Sequence, residues 1–228
     1  MIKNVIAIVA HPDDEIIGVG GALRKHIKAG DKVRVLILGD GKTSRDTIVE
    51  KNKTEVLNVS LEETAMALKI LGISSYQRLS LPDNKFDSLP LLDIVKKVSN
   101  FISAIKPDVV YTHHFGDLNI DHKLTFEATI IACRPIEINV NKILLFETLS
   151  STEMSGHQIR DVFLPNYFIN IENELEDKLN ATSQYASELC DFPHPRSIIT
   201  IRENAHVWGS KVNLKAAEAF ELFRYIEK

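Results

Sequence analysis

The chain is 228 residues long, with 44% hydrophobic residues, 25% charged residues and a formal net charge of −4. That length allows one sizeable hydrophobic core or two small ones, and the acidic balance excludes a wide basic field for nucleic acid. Two cysteines exclude a disulfide framework or a cysteine-rich zinc knuckle. The N-terminal apolar run of about seven residues is too short for a secretory signal or a membrane span, so we expect a cytoplasmic protein.

Apolar runs typical of buried strands alternate with segments of helical periodicity along the chain. Gly30, Gly72 and Pro107 stand where three of the helices should end. In chain order the predicted elements are a strand at Asn4–Ala10, a helix at Glu15–Ala29, a strand at Val33–Leu38, a helix at Leu61–Leu71, a strand at Gln77–Leu81, a helix at Leu91–Ile105, a strand at Val109–Thr112, a helix at His122–Cys133, strands at Ile143–Phe146 and Tyr167–Ile171, and a terminal helix at Leu214–Tyr225.

This alternation of strands and helices favours an α/β fold. We predict a Rossmann-like, doubly wound and mostly parallel sheet with helices on both faces. The stretch Thr148–Pro165 is polar and has no hydrophobic pattern, which indicates a loop or an insertion rather than a domain border. We therefore predict that residues 1–228 form a single domain.

Polar segments follow four of the predicted strands. In doubly wound sheets, ligands bind beyond the carboxyl ends of the strands, so segments at those ends are expected to meet. Convergence of several polar loops predicts a functional site more strongly than any single residue does. The four segments are His11–Glu15, Gly39–Gly41, Pro82–Asn84 and Thr112–Lys123.

Three glycines near the first turn look only superficially like a dinucleotide-binding fingerprint. They are Gly18, Gly20 and Gly21, but the last glycine of that pattern would fall at position 23, which is Leu23. Three acidic residues also occupy the turn, where they would repel a pyrophosphate. We predict instead that these glycines let the first helix pack closely on the sheet.

The end of the first strand is crowded with His11, Asp13, Asp14 and Glu15. A divalent cation converts the mutual repulsion of such acids into shared attraction. His11 and Asp14 can face one ion across the strand-to-helix turn, and His122 is the candidate for a third ligand. Two histidines and a carboxylate leave a fourth position for water, the open arrangement of catalytic zinc. We predict one Zn²⁺ per chain, with another divalent metal as the alternative.

The remaining acids of these two loops have distinct predicted roles. Asp13 is free to take the proton from an attacking water as general base. Asp121 adjoins the third ligand and suits the orientation of an imidazole, and Glu15 suits a structural role at a helix start. Simpler explanations stay open, because His11–Asp14 could cap a helix and an Asp–His pair could be a surface salt bridge.

Two motifs carry a resemblance to a known family. The segment AHPDDEIIGVGGAL (Ala10–Leu23) resembles the opening motif of the PIG-L/LmbE-like deacetylases, and HHFGDLNIDHK (His113–Lys123) resembles their second metal motif. Shorter stretches are also similar to this family, so the resemblance touches most of the chain. They are LGDGKTSR (Leu38–Arg45), EETAMALKILGI (Glu62–Ile73), LSLPDN (Leu79–Asn84), PHPRS (Pro193–Ser197) and AEAFEL (Ala217–Leu222).

The members of that family are zinc hydrolases that remove acetyl from N-acetylglucosamine-type groups. The resemblance implies that His11, Asp14 and His122 bind zinc and that Asp13 is the general base. It also implies that the substrate is a small N-acetylated sugar conjugate. Because the family often forms symmetric assemblies, the resemblance leaves room for a homo-oligomer.

The chain departs from the family pattern at Asn119, where many members carry histidine. An asparagine can donate a hydrogen bond to an oxyanion, so Asn119 is a predicted substrate contact, but it cannot protonate a leaving amine. The acid role must then fall to His113, His114 or His194, or to Asp13 after it has gained a proton. Of these we favour His114.

Two further regions concern the substrate. His194 and Arg196 lie in a proline-rich loop and are predicted to close over a sugar or an anionic group, unless they stabilise the loop or a subunit contact. Val59–Leu61 lacks the arginine that many members carry one turn before the glutamate of the second helix. Substrate binding on that side therefore needs another explanation.

Three alternatives stay open beside a sugar N-deacetylase. The first is a metal-dependent hydrolase of the same fold that acts on a non-sugar amide. The second is a metal-dependent phosphoesterase, which needs a second ion about 4 Å away and would have only Asp40 and Asp117 to hold it. The third is a non-catalytic metal-binding module, against which the free Asp13 argues, because a structural site would be closed.

Overall fold

The computed structural model describes residues 1–41, 53–136, 138–156 and 161–227. The strands are β1 (Asn4–Val9), β2 (Lys32–Gly39), β3 (Tyr76–Leu81), β4 (Val109–His113), β5 (Lys142–Phe146), β6 (Tyr167–Asn170) and β7 (Ala217–Tyr225). The α-helices are α1 (Asp14–Ile17), α2 (Gly20–Lys28), α3 (Lys53–Leu71), α4 (Leu91–Ile105), α5 (Ile120–Ala132), α6 (Leu175–Thr182) and α7 (Ile198–Ser210).

The seven strands form one sheet in the order β3-β2-β1-β4-β5-β7-β6. The first five of these are parallel, while β7 pairs antiparallel with both β5 and β6. This confirms the predicted α/β architecture with a mostly parallel sheet. That residues 1–228 form a single domain stays a prediction.

Helices cover both faces of the sheet, as predicted. On one face Val5 and Val9 of β1 join a core that includes Leu68 of α3. On the other face Ile6 and Ile8 join a core built with α4 and α5. Successive residues of β1 thus point to opposite, equally buried faces, which explains its continuous apolar run.

The predicted first helix is interrupted. It forms as α1 and α2, with a break at Gly18 and Val19. A Cβ on Gly18 would lie 2.2 Å from the Phe146 ring, and a Cβ on Gly21 would lie 2.9 Å from Ile171. Both glycines therefore permit close packing on the sheet, which is the role the sequence predicted for them.

The predicted terminal helix at Leu214–Tyr225 is wrong, because this stretch forms strand β7 from Ala217 onward. Its alanine, glutamate and leucine residues favour a helix in isolation. Backbone pairing with β5 on one side and β6 on the other overrides that preference. Helices α6 and α7 were not predicted from the sequence. Residues 42–45 of the segment Leu38–Arg45 and residues 157–160 of the segment Thr148–Pro165 lie outside the described residues.

The segments after β1, β3 and β4 lie at the carboxyl edge of the sheet, as expected from their strand ends. Helix α5 begins there, because Asn119 caps it by accepting a hydrogen bond from the backbone N–H of Asp121. Among the described residues, no helix combines the length and hydropathy that a membrane span requires.

Candidate active site

A cavity open to solvent lies at this carboxyl edge. The segments after β1, β2, β3 and β4 contribute to its wall, as expected, and so does the distant loop before α7. Its lining includes His11, Asp13, Asp83, Asn119, Tyr185 and Arg196. Of the nine predicted site residues, four therefore line the cavity directly.

His11, Asp14 and His122 each present one ligand atom to a common point. His11 Nδ1 lies 3.6 Å and His122 Nε2 lies 3.4 Å from Asp14 Oδ2, and the two nitrogens are 3.3 Å apart. Ligands about 2.0 to 2.1 Å from a tetrahedral zinc ion lie about 3.3 to 3.4 Å from one another. The three predicted ligands therefore fit such an ion at nearly the distances they already have.

The carboxylate of Asp14 supports the same fit. It is fully buried, and its Oδ2 accepts a hydrogen bond of 2.8 Å from the backbone N–H of His11. Its Oδ1 has no hydrogen-bond partner within the described part of the chain. A buried carboxylate with an unpartnered oxygen is costly, and a cation held at Oδ2 would offset that cost by stabilising the negative charge of the whole group.

The charges at the cluster are arranged to hold a cation. Burial lowers the pKa of His122, but Asp14 and Asp117 outweigh it and raise that pKa to about 10. Burial raises the pKa of Asp14, but His122 and His113 outweigh it and keep that pKa well below the ordinary value. A bound metal would take the place of the His122 proton, because a histidine ligand must be neutral.

Asp121 engages the other nitrogen of His11. Its Oδ2 lies 2.9 Å from His11 Nε2, and its two oxygens accept hydrogen bonds from the backbone N–H groups of Asn84 (2.7 Å) and Phe86 (2.9 Å). Since Nε2 is occupied, Nδ1 is the nitrogen that faces the other two ligands. This contact is the one that the predicted orienting role of Asp121 requires.

Asp117 lies within ion-pair distance of the other nitrogen of His122. Its Oδ2 lies 3.1 Å from His122 Nδ1 and accepts a hydrogen bond of 2.6 Å from the Thr152 hydroxyl, while its Oδ1 accepts one from the Ser151 hydroxyl. Burial raises the pKa of Asp117, but His122 and the two hydroxyls outweigh it and lower that pKa to about 2. Asp117 is therefore committed to His122 and is not spare for a second metal.

A second group of possible ligands consists of His11, Asp83 and Asp121. His11 Nε2 lies 3.3 Å from Asp83 Oδ1, on the side of the ring opposite to the first group. This group shares His11 with the first, and its Asp121 already accepts two backbone hydrogen bonds. Within the described residues, the two groups thus do not provide independent ligand sets for a pair of adjacent ions.

Asp13 is buried beside the ligands and faces the cavity. Its φ of 100° is a left-handed value that a residue with a side chain adopts only under strain. Arg196 Nη1 lies 3.2 Å from its Oδ2. Burial raises the pKa of Asp13 well above its ordinary value, although Arg196 opposes this. The strained turn keeps Asp13 out of the ligand cluster and next to it.

Glu15 stabilises the strained turn at Asp13 through hydrogen bonds. Its Oε2 accepts a hydrogen bond of 3.1 Å from the backbone N–H of Asp13, and its Oε1 accepts one of 2.5 Å from the hydroxyl of Tyr185. Burial raises the pKa of Glu15 to about 7, although the Tyr185 hydroxyl opposes this. These contacts suit the structural role predicted for Glu15.

Asn119 lines the cavity while it caps helix α5. Its Nδ2 donates a hydrogen bond of 3.0 Å to Asn84 Oδ1, which leaves its second N–H for another acceptor. On the side where the sequence lacks the family arginine, Arg78 of β3 supports the wall. Its guanidinium donates hydrogen bonds to the backbone oxygens of Ser60 (2.8 Å) and Asp40 (2.9 Å).

The structure places His114 away from the cavity, a position that does not support the general-acid role predicted for it. Its ring is fully buried between Phe115 and Phe163, with Nε2 at 3.3 Å from Glu221 Oε1. The reason is alternation at the end of β4, where adjacent side chains point to opposite sides. His113 therefore faces the ligands, and His114 faces away.

His113 and His194 are also engaged elsewhere. His113 accepts a hydrogen bond of 3.0 Å from the backbone N–H of Ala10, and its other nitrogen lies 3.1 Å from Thr148 Oγ1. Burial lowers its pKa to about 4, so it is neutral. His194 is exposed, and its Nδ1 accepts a hydrogen bond of 3.1 Å from the backbone N–H of Arg196. It shapes the loop that presents Arg196 and does not line the cavity.

The turn Thr148–Thr152 is the part of the site that the sequence reasoning missed. Thr148 contacts His113, Ser151 and Thr152 contact Asp117, and the Ser150 hydroxyl accepts a hydrogen bond of 2.9 Å from Arg196 Nε. A signal was available, because this hydroxyl-rich stretch follows the carboxyl end of the fifth predicted strand. The rule that selected the other four loops also applies to it.

Comparison with known proteins identifies relatives. A family model described as "PIG-L: GlcNAc-PI de-N-acetylase" matches residues 6–133. The chain is 31% identical over 177 residues to "Uncharacterized deacetylase YaiS" of Escherichia coli, a match that covers 75% of this chain and 84% of the relative. It is 29% identical over 195 residues to "Diacetylchitobiose deacetylase" of Thermococcus kodakarensis, covering 82% of this chain and 70% of the relative.

Solved structures share the fold. GalB of Pseudomonas putida, a 4-carboxy-2-hydroxymuconate hydratase, matches 100% of this chain and 99% of its own with a TM-score of 0.78 and 19% identity. A likeness at that identity shows the fold alone, and this neighbour catalyses a different reaction from the deacetylases. The reaction must therefore be argued from the residues of the site.

Proposed function

The chain belongs to the PIG-L family of GlcNAc-PI de-N-acetylases, and from this premise we propose that it is a zinc-dependent N-deacetylase. Its substrate is an N-acetylglucosamine-type sugar conjugate, and the reaction hydrolyses the acetamide to acetate and a free amine. The observation that carries this proposal is the cluster of His11, Asp14 and His122, whose ligand atoms lie 3.3 to 3.6 Å apart beside Asp13.

In this proposal His11 Nδ1, Asp14 Oδ2 and His122 Nε2 hold the metal. Zinc, when bound, supplies a Lewis acid that polarises the amide carbonyl and makes an attacking water easier to deprotonate. Asp121 and Asp117 keep the two imidazoles in the orientation that exposes these nitrogens. The chain itself supplies the remaining proton transfers.

Asp13 takes the proton from the attacking water, since it lines the cavity next to Asp14 and belongs to neither group of possible ligands. Arg196 fixes the carboxylate through Nη1, 3.2 Å from Asp13 Oδ2. The hydroxide adds to the acetyl carbon first, and the carbon–nitrogen bond breaks afterwards, when the nitrogen gains a proton. The acyl group leaves as acetic acid, which ionises to acetate. Asn119 has one N–H left to donate to a substrate oxygen.

Protonation of the leaving amine also falls to Asp13. Of the four candidates from the sequence, His114 faces away from the cavity, both nitrogens of His113 are engaged, and His194 does not line the cavity. Asp13 returns to nitrogen the proton it took from water, so the overall reaction adds one water across the amide and leaves the carboxylate ionised.

The activity test is a panel of substrates incubated with the zinc-loaded protein. It contains N-acetylglucosamine, N,N′-diacetylchitobiose, a glycosidic N-acetylglucosamine conjugate, an N-acetylated amino acid and p-nitrophenyl phosphate. We expect acetate and free amine in equal amounts from at least one sugar. Acetate from the amino acid alone would overturn the sugar substrate, and phosphate release without acetate would overturn the reaction class.

The base assignment is tested with Asp13→Asn against the matched surface control Asp93→Asn. We expect Asp13→Asn to retain metal and to lose turnover by about 10²- to 10⁴-fold, the usual contribution of general acid–base catalysis. Asp93 is exposed on α4, so its variant should keep full activity. An Asp13→Asn variant as active as the parent would remove Asp13 from the mechanism.

A further inference from the structure

A second cavity lies at the amino ends of the parallel strands, which is the edge of the sheet opposite to the candidate active site. Lys3 precedes β1, Asp31 precedes β2, and Lys142 begins β5. Lys25 and His26 of helix α2 form another wall of the same cavity. None of these residues takes part in the site described above, so this cavity needs its own explanation.

Three lysines line this cavity without an acidic partner. Within the described residues, Lys3, Lys25 and Lys142 form no ion pair with a carboxylate, whereas Lys28 pairs with Glu174 at 3.1 Å. The hydrogen-bond partners of two of them are neutral. Lys25 Nζ donates a hydrogen bond of 2.7 Å to the backbone oxygen of Asn170, and Lys142 Nζ donates one of 2.7 Å to the hydroxyl of Tyr167.

The one acid in the lining is already engaged. Asp31 Oδ1 accepts a hydrogen bond of 2.9 Å from the backbone N–H of Lys3, and its Oδ2 lies 2.7 Å from His26 Nδ1. His26 Nε2 in turn lies 3.0 Å from the hydroxyl of the buried Tyr111. The lining therefore contains three lysines but only one carboxylate, whose two oxygens are both taken, so positive charge is in excess there in a chain of net charge −4.

The lysines of the cavity also act on His26 in its wall. The pKa of His26 is lowered, mainly by burial, and Lys3 and Lys142 add to this effect although Asp31 opposes it. Two lysines, one just before β1 and one at the start of β5, thus act on the same partly buried imidazole. An anion between them would relieve this repulsion.

We propose that this cavity binds an oxyanion of the phosphate class, either free phosphate or the phosphate group of a small molecule. Lysine ammonium groups bind phosphate as point charges, and three of them suit a doubly charged anion. The Tyr167 hydroxyl accepts its hydrogen bond from Lys142 and so keeps its own O–H to donate to such an anion. Lys25 is exposed at the rim, where an anion would enter.

The proposal is tested by titrating inorganic phosphate into the full chain by isothermal calorimetry, at an ionic strength kept constant with sodium chloride. The parent is compared with Lys142→Gln and Lys25→Gln. Lys96→Gln is the matched control, since Lys96 is exposed on α4 and its removal changes the net charge by the same amount. Lys25 is exposed too, so its variant tests the site even where Lys142→Gln fails to fold.

We expect one saturable site in the parent, at least about tenfold weaker binding in Lys142→Gln and Lys25→Gln, and unchanged binding in Lys96→Gln. Absence of saturable binding in the parent would overturn the proposal. Phosphate held elsewhere, for example beside the predicted metal ligands, would bind equally well to both pocket variants, and that result would overturn it as well. Acetate that binds as tightly as phosphate would overturn the preference for a doubly charged anion.

Discussion

The amino-terminal part of the chain (residues 6–133) and the carboxyl-terminal part (residues 138–156 and 161–227) contribute to the candidate site in different ways. The amino-terminal part contains Asp13 and the three predicted ligands, all in the segments that follow β1 and β4. The carboxyl-terminal part supplies no predicted ligand. It supplies Arg196, which contacts Asp13, and the turn Thr148–Thr152, which contacts Asp117.

The same division is visible in the packing. Glu218 of β7 accepts hydrogen bonds from the backbone N–H groups of Gly21 (2.8 Å) and Ala22 (2.7 Å) at the start of α2. Lys178 of α6 donates hydrogen bonds to Glu218 (2.6 Å) and to the backbone oxygen of Ile17 (2.8 Å). The carboxyl-terminal part therefore holds the end of α1 and the start of α2, the two helices that follow His11. The comparison suggests that chemistry and support can be separated by mutation.

The largest effect is expected for Asp14→Ala, which removes a ligand from the amino-terminal part. Zinc should be lost on dialysis, and turnover should fall by about 10³-fold or more, because a Lewis acid supplies several kcal/mol to the transition state. Metal content by mass spectrometry and acetate release measure the two effects. The fold should survive, since the change removes a buried carboxylate with an unpartnered oxygen.

The control for that experiment is Asp93→Ala, which removes an exposed acid from α4. It should keep both metal and activity. An Asp14→Ala chain that retains stoichiometric zinc would contradict the ligand set, and with it the assignment of metal chemistry to the amino-terminal part.

A purely structural effect of the carboxyl-terminal part is expected for Lys178→Met. The variant leaves Glu218 buried without its cationic partner, and we expect it to lower the free energy of unfolding by about 3 kcal/mol. This is the low end for breaking a buried pair, because two backbone N–H groups still donate to Glu218. Urea denaturation measures the change.

The matched control is Lys28→Met, which breaks the partly exposed pair of Lys28 with Glu174. Such surface pairs contribute about 1 kcal/mol or less, so this variant should stay close to the parent. Equal losses in the two variants would mean that the buried pair does not secure the start of α2 as the geometry implies.

These two parts also differ in how much the sequence revealed. Asp13 and Asp14 adjoin a buried strand, and His122 follows another, so short-range spacing and the rule for strand ends were enough to predict them. The same holds for β1, β2, β4 and β5, whose apolar runs are largely buried, whereas β3 is a mostly exposed edge strand. Each of these features is local in the sequence and needs no knowledge of distant contacts.

What the sequence did not reveal depends on long-range contacts. AEAFEL in β7 has the composition of a helix and becomes a strand only because β5 and β6 pair with it. His114 and His113 cannot be told apart in the sequence, because the direction of each side chain depends on the phase of β4. In the sequence Asp117 is available as a ligand of a second metal, whereas in the structure it accepts hydrogen bonds from Ser151 and Thr152.

A smaller effect is expected when the turn of the carboxyl-terminal part loses its hydroxyls. The double variant Ser151→Ala, Thr152→Val removes both hydroxyl donors to Asp117 and leaves only the backbone N–H of Asn119, so Asp117 holds His122 less firmly. Zinc affinity should fall by about 10- to 100-fold, the usual range for residues that support a metal ligand. Competition with a fluorescent chelator measures it.

Thr152→Ser keeps the hydroxyl and should restore most of the affinity, which separates the hydrogen bond from packing. Ser183→Ala, directly after α6, removes a hydroxyl that donates to the backbone oxygen of Leu179 and should leave zinc affinity unchanged. Parent-like affinity in the double variant would show that Asp117 orients His122 without help from the carboxyl-terminal part.

The smallest effect is expected for Arg196→Ala, which tests whether the carboxyl-terminal part also supports the base. The guanidinium is partly exposed and holds Asp13 by one contact of 3.2 Å, so we expect kcat to fall about tenfold with zinc affinity unchanged. Arg202→Ala removes a surface arginine that pairs with Glu176 and should change neither quantity. If Arg196→Ala raised KM alone, Arg196 would be a substrate contact and not a support for Asp13. In that case the carboxyl-terminal part would support the metal ligands but not the general base.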